Sequence, residues 1–251
     1  MLVASTSCGS GTRRRGGNRL SPRIWDHQWH HLVNLRRSLL EILNQHGLPG
    51  EGQRVVDVGC GDCPYEPIFR RRNCEYIACD FDGDVDVIIE PGQPLALPDE
   101  SADGVVSFQV LEHVWDLDHY LGECYRILKP GGWLLLSTHG TWLYHPHPTD
   151  FRRWTRDGLI GELRDRAFRV ETVKSAVGPL AWTTQFRLLG YQQVLRKVPV
   201  VGRVLIPPLA CLMNCRMVLE DAITPVSIIE SNASVYVTLS RKPNPEEASG
   251  G

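Results

Sequence analysis

The chain has 251 residues, a formal net charge of −2 and an isoelectric point of about 6.5. That balance offers no electrostatic case for nucleic acid as substrate or partner. The length suits one sizeable α/β domain. Eight scattered cysteines fit a reducing, cytoplasmic setting better than a disulfide framework. No uncharged apolar run of about 18 residues predicts an ordinary spanning helix, and no apolar stretch at the N-terminus marks a signal peptide.

Residues 1–22 are rich in Ser, Gly and Arg and read as a disordered tail. From 23 to 47, Ile24, Trp29, Leu32, Leu35, Leu39, Leu40 and Leu43 recur at helical spacing, and Gly47 supplies a stop. Asp26, His27, Trp29, His30 and His31 cluster where this helix opens. Trp29 and His30 are candidates for substrate contact; an amphipathic cap with ordinary surface histidines explains them equally well.

Val55-Val-Asp-Val-Gly-Cys-Gly61 reads as a strand buried on both faces that ends in a glycine-rich turn. A strand, such a turn and then a helix cradle a nucleotide. The dinucleotide fingerprint asks for a small residue three positions past the second glycine. Pro64 stands there, which argues against NAD. Asp57 needs a cationic or hydroxyl partner, because a lone buried carboxylate is costly. Cys60 and Cys63 have metal spacing but no second Cys or His pair, so no metal is expected. The helix over 64–72 should present its N-terminal N–H groups to an anion.

Glu75 to Asp80 is a second short strand ending in an acid, 19 residues after Gly61. That is where a ribose-binding carboxylate belongs. An apolar strand follows at 104–108, then Gln109-Val-Leu-Glu-His-Val114. A helix over 116–128 follows, and Lys129-Pro-Gly-Gly132 reads as its stop before a strand at 133–137. Thr155 is a predicted N-cap, with Asp157 in the first turn of the next helix. Strands at 168–174 and 234–240 complete the pattern, and residues 241–251 read as a polar tail.

This ordered series of motifs resembles the class I S-adenosylmethionine-dependent methyltransferases. It matches the large subgroup with Asp-Val-Gly-Cys-Gly, Leu-Glu-His-Val and Leu-Lys-Pro-Gly-Gly runs. The resemblance covers roughly residues 30–175 and returns at 234–240. It implies a Rossmann-like α/β fold: a seven-stranded, mostly parallel sheet with an antiparallel last strand and helices on both faces. It also implies S-adenosylmethionine as cofactor. Gly59 and Gly61 would then line its methionine part, with Asp57 beneath, and Asp80 would accept from both ribose hydroxyls. Gln109 would face the methionine end, and Leu95 the adenine. Cys60 and Phe81, next to these residues in sequence, join the cofactor set. In such proteins the Glu112-His113 pair mostly shapes the turn below the cofactor, which leaves His113 a secondary candidate for proton transfer.

The loop after the fifth strand, 144–155, is the better place for chemistry, because strand-end loops of open parallel sheets bind ligands. His145 or His147 could take a proton from an acceptor hydroxyl, with Asp150 orienting the imidazole. Arg152 and Arg153 could hold an anionic group, and Trp154 could contact substrate. An internally paired structural loop is the alternative. The function expected is O-methylation of a small-molecule, glycan or lipid-linked acceptor; N- or C-methylation and a non-catalytic cofactor-binding scaffold are the alternatives.

About 60 residues separate the last two strands, where a hairpin needs about 2–5. The segment 176–232 is apolar and helical in pattern. Residues 180–195 read as one helix, and 198–217 as an apolar stretch broken by Gly202, Arg203, Pro207 and Pro208. A substrate-covering lid, a peripheral membrane contact through 198–217 and a homodimer surface all fit; the protein could equally be a monomer.

Overall fold

The computed structural model describes residues 19–146 and 149–248. In chain order the elements are α1 (Trp29–Gln45), β1 (Arg54–Val58), α2 (Glu66–Arg70), β2 (Glu75–Asp80), β3 (Val87–Ile88) and β4 (Ala102–Phe108). A 3-10 turn at Leu111–His113 leads to α3 (Leu117–Ile127), β5 (Leu128–His139), α4 (Arg156–Asp165) and β6 (Arg169–Ala176). Then come α5 (Pro179–Leu195), α6 (Pro199–Ile223), α7 (Val226–Ser231), β7 (Val235–Arg241) and α8 (Pro245–Ala248).

The seven strands form one sheet in the order β3-β2-β1-β4-β5-β7-β6. β7 pairs antiparallel with both β5 and β6, and the other pairings are parallel. Strand side chains alternate between two cores. Val55, Val106 and Leu135 join the core under α1, α5 and α6. Val56, Val105, Leu134 and Leu136 join the core under α3 and α4. Helices therefore cover both faces, and the strand order reverses between β1 and β4. Ligands bind beyond the carboxyl ends of the strands at such a switch point.

Local chemistry sets several boundaries. Thr155 caps α4 by accepting from the Gly158 N–H at 3.1 Å, with Asp157 in the first turn. Asp116 caps α3 by accepting from His119 N at 2.9 Å. Lys129-Pro-Gly-Gly132 differs from expectation. The chain turns from α3 straight into β5, and these four residues form an irregularity against β4. The Lys129 ammonium meets Asp103 at 2.7 Å there.

Other expectations need correction. α2 has only five residues, so it lacks the dipole of the longer helix read over 64–72. Residues 1–18 lie outside the described residues, but 19–22 are not a loose tail: Leu20 packs on the core and its carbonyl accepts from Arg36. The start of the other tail is also anchored. Arg241 belongs to β7, and the buried Lys242 ammonium donates to the carbonyls of Leu128 (2.8 Å) and Tyr125 (3.1 Å). The apolar stretch read as broken at Gly202 to Pro208 is one 25-residue helix with both prolines inside it. By length and composition, its Val200–Ile223 span could cross a membrane, contrary to the expectation of no such helix.

Candidate active site

A cleft of about 550 Å³ opens at the switch point. Asp57, Gly59, Cys60 and Gly61 line it from β1, Asp80 and Phe81 from β2, and Gln109 and Val110 from β4. The loop after β5 adds Trp142, Leu143, Tyr144 and His145. His27 and His31 reach it from α1 and the turn before it, and Leu189, Gln192 and Gln193 from α5.

The glycine turn is anchored to β2. Gly59 and Cys60 donate to the Cys79 carbonyl at 2.9 and 3.1 Å, and Gly61 donates to Asp80 Oδ2 at 2.5 Å. These N–H groups are committed to protein partners rather than offered to a ligand. Gly59 has a φ of +80°, and a Cβ there would lie 2.8 Å from Val110 Cγ2, so a larger residue would strain the turn and displace Val110.

Asp80 Oδ1 accepts from Phe81 N at 2.7 Å. Each carboxylate oxygen carries a second lone pair, so Asp80 still offers two acceptor sites to the cleft. Asp57 is 1% exposed, and the hydroxyl partner that its burial demands is Tyr76. Burial pushes the Asp57 carboxyl up to about 8; the Tyr76 hydrogen bond opposes this, and the nearby Cys63, Asp80 and Glu66 add to it. Asp57 Oδ1 and Gln109 Oε1 are buried acceptors without a hydrogen-bond partner among the described residues. Gln109 also holds a φ of +58°, a conformation costly for a non-glycine residue. Two orphaned acceptors on the cleft lining call for a donor-rich cationic group. The ammonium and sulfonium end of S-adenosylmethionine supplies one, so these residues fit that cofactor.

Leu95 is not part of this lining. Its side chain lies in the core under α3, and its N–H donates to Glu123 at 2.7 Å. Phe81, 57% exposed beside Asp80, is the aromatic surface the cleft presents at that end.

The loop after β5 is held from below. Glu112 is fully buried, and its Oε2 accepts from Thr138 Oγ1 at 2.8 Å. Its Oε1 lies 3.4 Å from His139 Nε2. Burial pushes Glu112 up to about 7 and His139 well below its ordinary value, so both tend toward their neutral forms. His113 Nδ1 contacts the Thr149 carbonyl at 2.5 Å, and its ring meets His145 edge-on at 4.9 Å. His145 also sits edge-on to His139, at 5.3 Å. His147 lies outside the described residues.

Asp150 does not orient an imidazole. Its oxygens take the fork of Arg153 at 2.5 and 2.6 Å, and Oδ2 accepts from the His145 backbone N–H at 3.0 Å. Burial would raise the Asp150 carboxyl, but the Arg153 and His145 hydrogen bonds outweigh it and hold the group below its ordinary value. Arg153 also donates to the carbonyls of Trp142, Leu143 and Arg152. It is therefore the loop's internal tie rather than an anion holder. Arg152 points away from the cleft, over Trp115 and onto the Trp115 carbonyl. Trp154 is buried in the core under α4.

On α1, Trp29 and His30 do not line the cleft either. His30 Nε2 bonds Asp221 of α6 at 2.6 Å, away from the ligand space. His31 is the α1 histidine that points in. It follows the phase of Leu35, Leu39 and Ile42, a helical signal legible in the sequence. His31 lies 5.7 Å from His139 and 4.3 Å from Trp142, ring to ring. Burial pushes its imidazole down to about 3, with His30 and His145 acting in the same direction. The sequence reading also missed His139, Trp142 and the α5 residues; only His139, at a strand's carboxyl end, carried a positional signal. The third group that His145 lacked in sequence is brought by the fold: ligand atoms of Glu112, His113 and His145 lie within 4.8 Å of one another.

The model of a methyltransferase domain family matches residues 27–177. A protein of Mycolicibacterium smegmatis named "Probable S-adenosylmethionine-dependent methyltransferase" is 33% identical over 137 residues, covering 48% of this chain and 53% of that protein. The human mitochondrial ubiquinone biosynthesis O-methyltransferase is 32% identical over 136 residues, covering 41% of this chain and 34% of that protein. The chain thus spans about half, or less, of the length of these relatives. Among solved structures, the 4+2 cyclase SpnF superposes with a TM-score of 0.54 at 17% identity, covering 83% of this chain and 81% of that one, a likeness of fold alone. The family match spans more than half of the sequence and contains the glycine turn, Asp80, Gln109 and the histidine-bearing loop. The chain belongs to the class I S-adenosylmethionine-dependent methyltransferases.

Proposed function

We propose that this protein transfers a methyl group from S-adenosylmethionine to an oxygen of a small-molecule, glycan or lipid-linked acceptor. The cofactor supplies, when bound, a methyl group already activated on a sulfonium. The protein's own task is to bind, to orient and to accept a proton. Asp80, Asp57 and Gln109 would hold the cofactor's hydroxyl and ammonium donors.

The observation that carries the choice of oxygen is the set of imidazoles in the same cleft. His31, His113, His139 and His145 line it together with the glycine turn. Burial keeps His31 and His139 unprotonated at neutral pH. A hydroxyl is a poor nucleophile until a base takes its proton, and a neutral imidazole suits that task. His145, partly exposed and fixed through its backbone to Asp150, is the base of this reading. Trp142, stacked on His139 at 4.9 Å, adds an apolar wall for an acceptor. The oxygen specificity in the human relative's name agrees with this reading.

The test is twofold. Calorimetric titration of the folded protein with S-adenosylmethionine should give saturable binding; no binding overturns the reading. Transfer of radiolabelled methyl over a panel of hydroxyl, amine and carbon acceptors should label hydroxyls. Labelling confined to amines or carbon would reject oxygen as the acceptor.

A further inference from the structure

The surface of the α5–α6 pair is built in a way that the cleft does not require. At about 100° per residue, Val200, Val204, Leu212, Val218, Leu219 and Ile223 fall within an arc of about 140° on α6. All six are exposed, Val200 to 77% and Ile223 to 72%. On the opposite side of the helix Gly202 approaches the end of α5, and Ala210, Met213 and Met217 join the core. An amphipathic helix normally turns its apolar stripe inward; here the outward stripe is apolar too. α5 repeats the arrangement. Leu189 and Gln192 face the cleft, while Tyr191 and Val194 are exposed.

The charge of this segment is one-sided. Residues 172–219 contain no Asp or Glu, against Lys174, Arg187, Arg196, Lys197, Arg203 and Arg216, in a chain of net charge −2. Arg187, Lys197 and Arg203 form no ion pair among the described residues. Lys197 and Arg203 flank the turn between the helices, next to the exposed Val198, Val200 and Val201. Cations set among exposed apolar side chains match an anionic lipid surface: the apolar groups enter the acyl boundary while the charged ends stay among the headgroups.

We infer that the α5–α6 pair docks this protein on an anionic lipid bilayer, lying in its surface rather than crossing it. Lying flat follows from the inner side of α6. Asn214 Nδ2 donates to the carbonyls of Ile24 (2.6 Å) and Asp26 (3.0 Å), and Asp221 holds His30 and the Gly178 N–H. These polar contacts key α6 to the body, and a spanning helix would have to give them up. The docked surface brings bilayer to the outer side of α5, the same helix that walls the cleft.

Vesicle flotation of the full chain tests this. The protein should float with vesicles of phosphatidylcholine containing one-quarter phosphatidylglycerol, and not with phosphatidylcholine alone. Added salt should weaken the binding. The double variant Val200→Glu/Val204→Glu should abolish flotation, and Lys197→Glu/Arg203→Glu should reduce it at least several-fold. All four side chains are exposed, so circular dichroism and S-adenosylmethionine titration should be unchanged in both variants. Absence of flotation with anionic vesicles overturns the proposal. Flotation that both variants retain overturns it as well. A wild-type dimer that Val200→Glu/Val204→Glu splits into monomers, with no lipid binding, assigns the stripe to a second copy of the chain instead.

Discussion

The Tyr76 hydroxyl donates a hydrogen bond to the buried Asp57 carboxylate, joining the acid inside the glycine-turn motif to the neighbouring strand. That bond satisfies one oxygen and leaves Oδ1 beside the cleft without a protein partner, an acceptor once the group is ionised. Asp57 is raised to about 8, so it is largely protonated at neutral pH. A cation arriving nearby favours the charged form. Cofactor binding should therefore release a proton, and affinity should rise with pH up to about 8. Asp57→Asn should bind more weakly and lose that slope, as read by titration calorimetry at several pH values. The sign for stability is opposite. An unfolded Asp ionises near 3.8 and the folded one only near 8, so the ligand-free protein should lose stability as pH rises across that window. Asp57→Asn should flatten the decline in denaturant midpoints.

The buried histidines act at the acid end. An unfolded imidazole takes a proton below about 6.5, whereas folded His31 resists until about 3. Stability should therefore fall as pH drops through that range, with His139 contributing in the same direction. His31→Gln should reduce the loss between about pH 7 and about pH 5, as measured by urea midpoints. An unchanged pH dependence would show that His31 is protonated in the folded protein.

His145→Ala should lower kcat on the order of 100- to 10,000-fold, the usual share of a general base, with cofactor affinity nearly unchanged. Chelation separates this from a metal role for Glu112, His113 and His145. Activity should survive EDTA. Loss with EDTA that a divalent ion restores would make these side chains ligands instead.

Arg153 and Arg152 are neighbours with unlike roles. Arg153→Ala would strand Asp150, whose side chain is 3% exposed, and free three carbonyls. Breaking such a pair costs about 3–5 kcal/mol when a buried charge is left alone. Thermal denaturation should show a clear drop in Tm, along with a disordered active-site loop. Arg152→Ala loses only a surface contact with Trp115 and should change stability by no more than about 0.5 kcal/mol.

Much of the fold was legible because its signals are local. Val55, Val56 and Val58 show a buried strand, Thr155 and Asp157 a helix start, and the glycines at 59 and 61 a turn at the cleft. These depend on neighbours in sequence, so the chain itself determined the order of most strands and helices and placed Asp57 and Asp80 at the ends of their strands. Tertiary structure decided which way the loop residues face. Asp150 sits five residues from His145, and spacing alone suited it to orient that imidazole; the fold gives its oxygens to Arg153 instead. His31 and His139 are 108 residues apart, and only the packing of α1 across the end of β5 brings their rings within 5.7 Å. Helical phase distinguishes His31 from His30, although the sequence reading names His30 as the candidate; what each meets belongs to other elements, Trp142 for one and Asp221 for the other. Pairing across distant segments depends on how helices pack on the sheet, which no local pattern encodes.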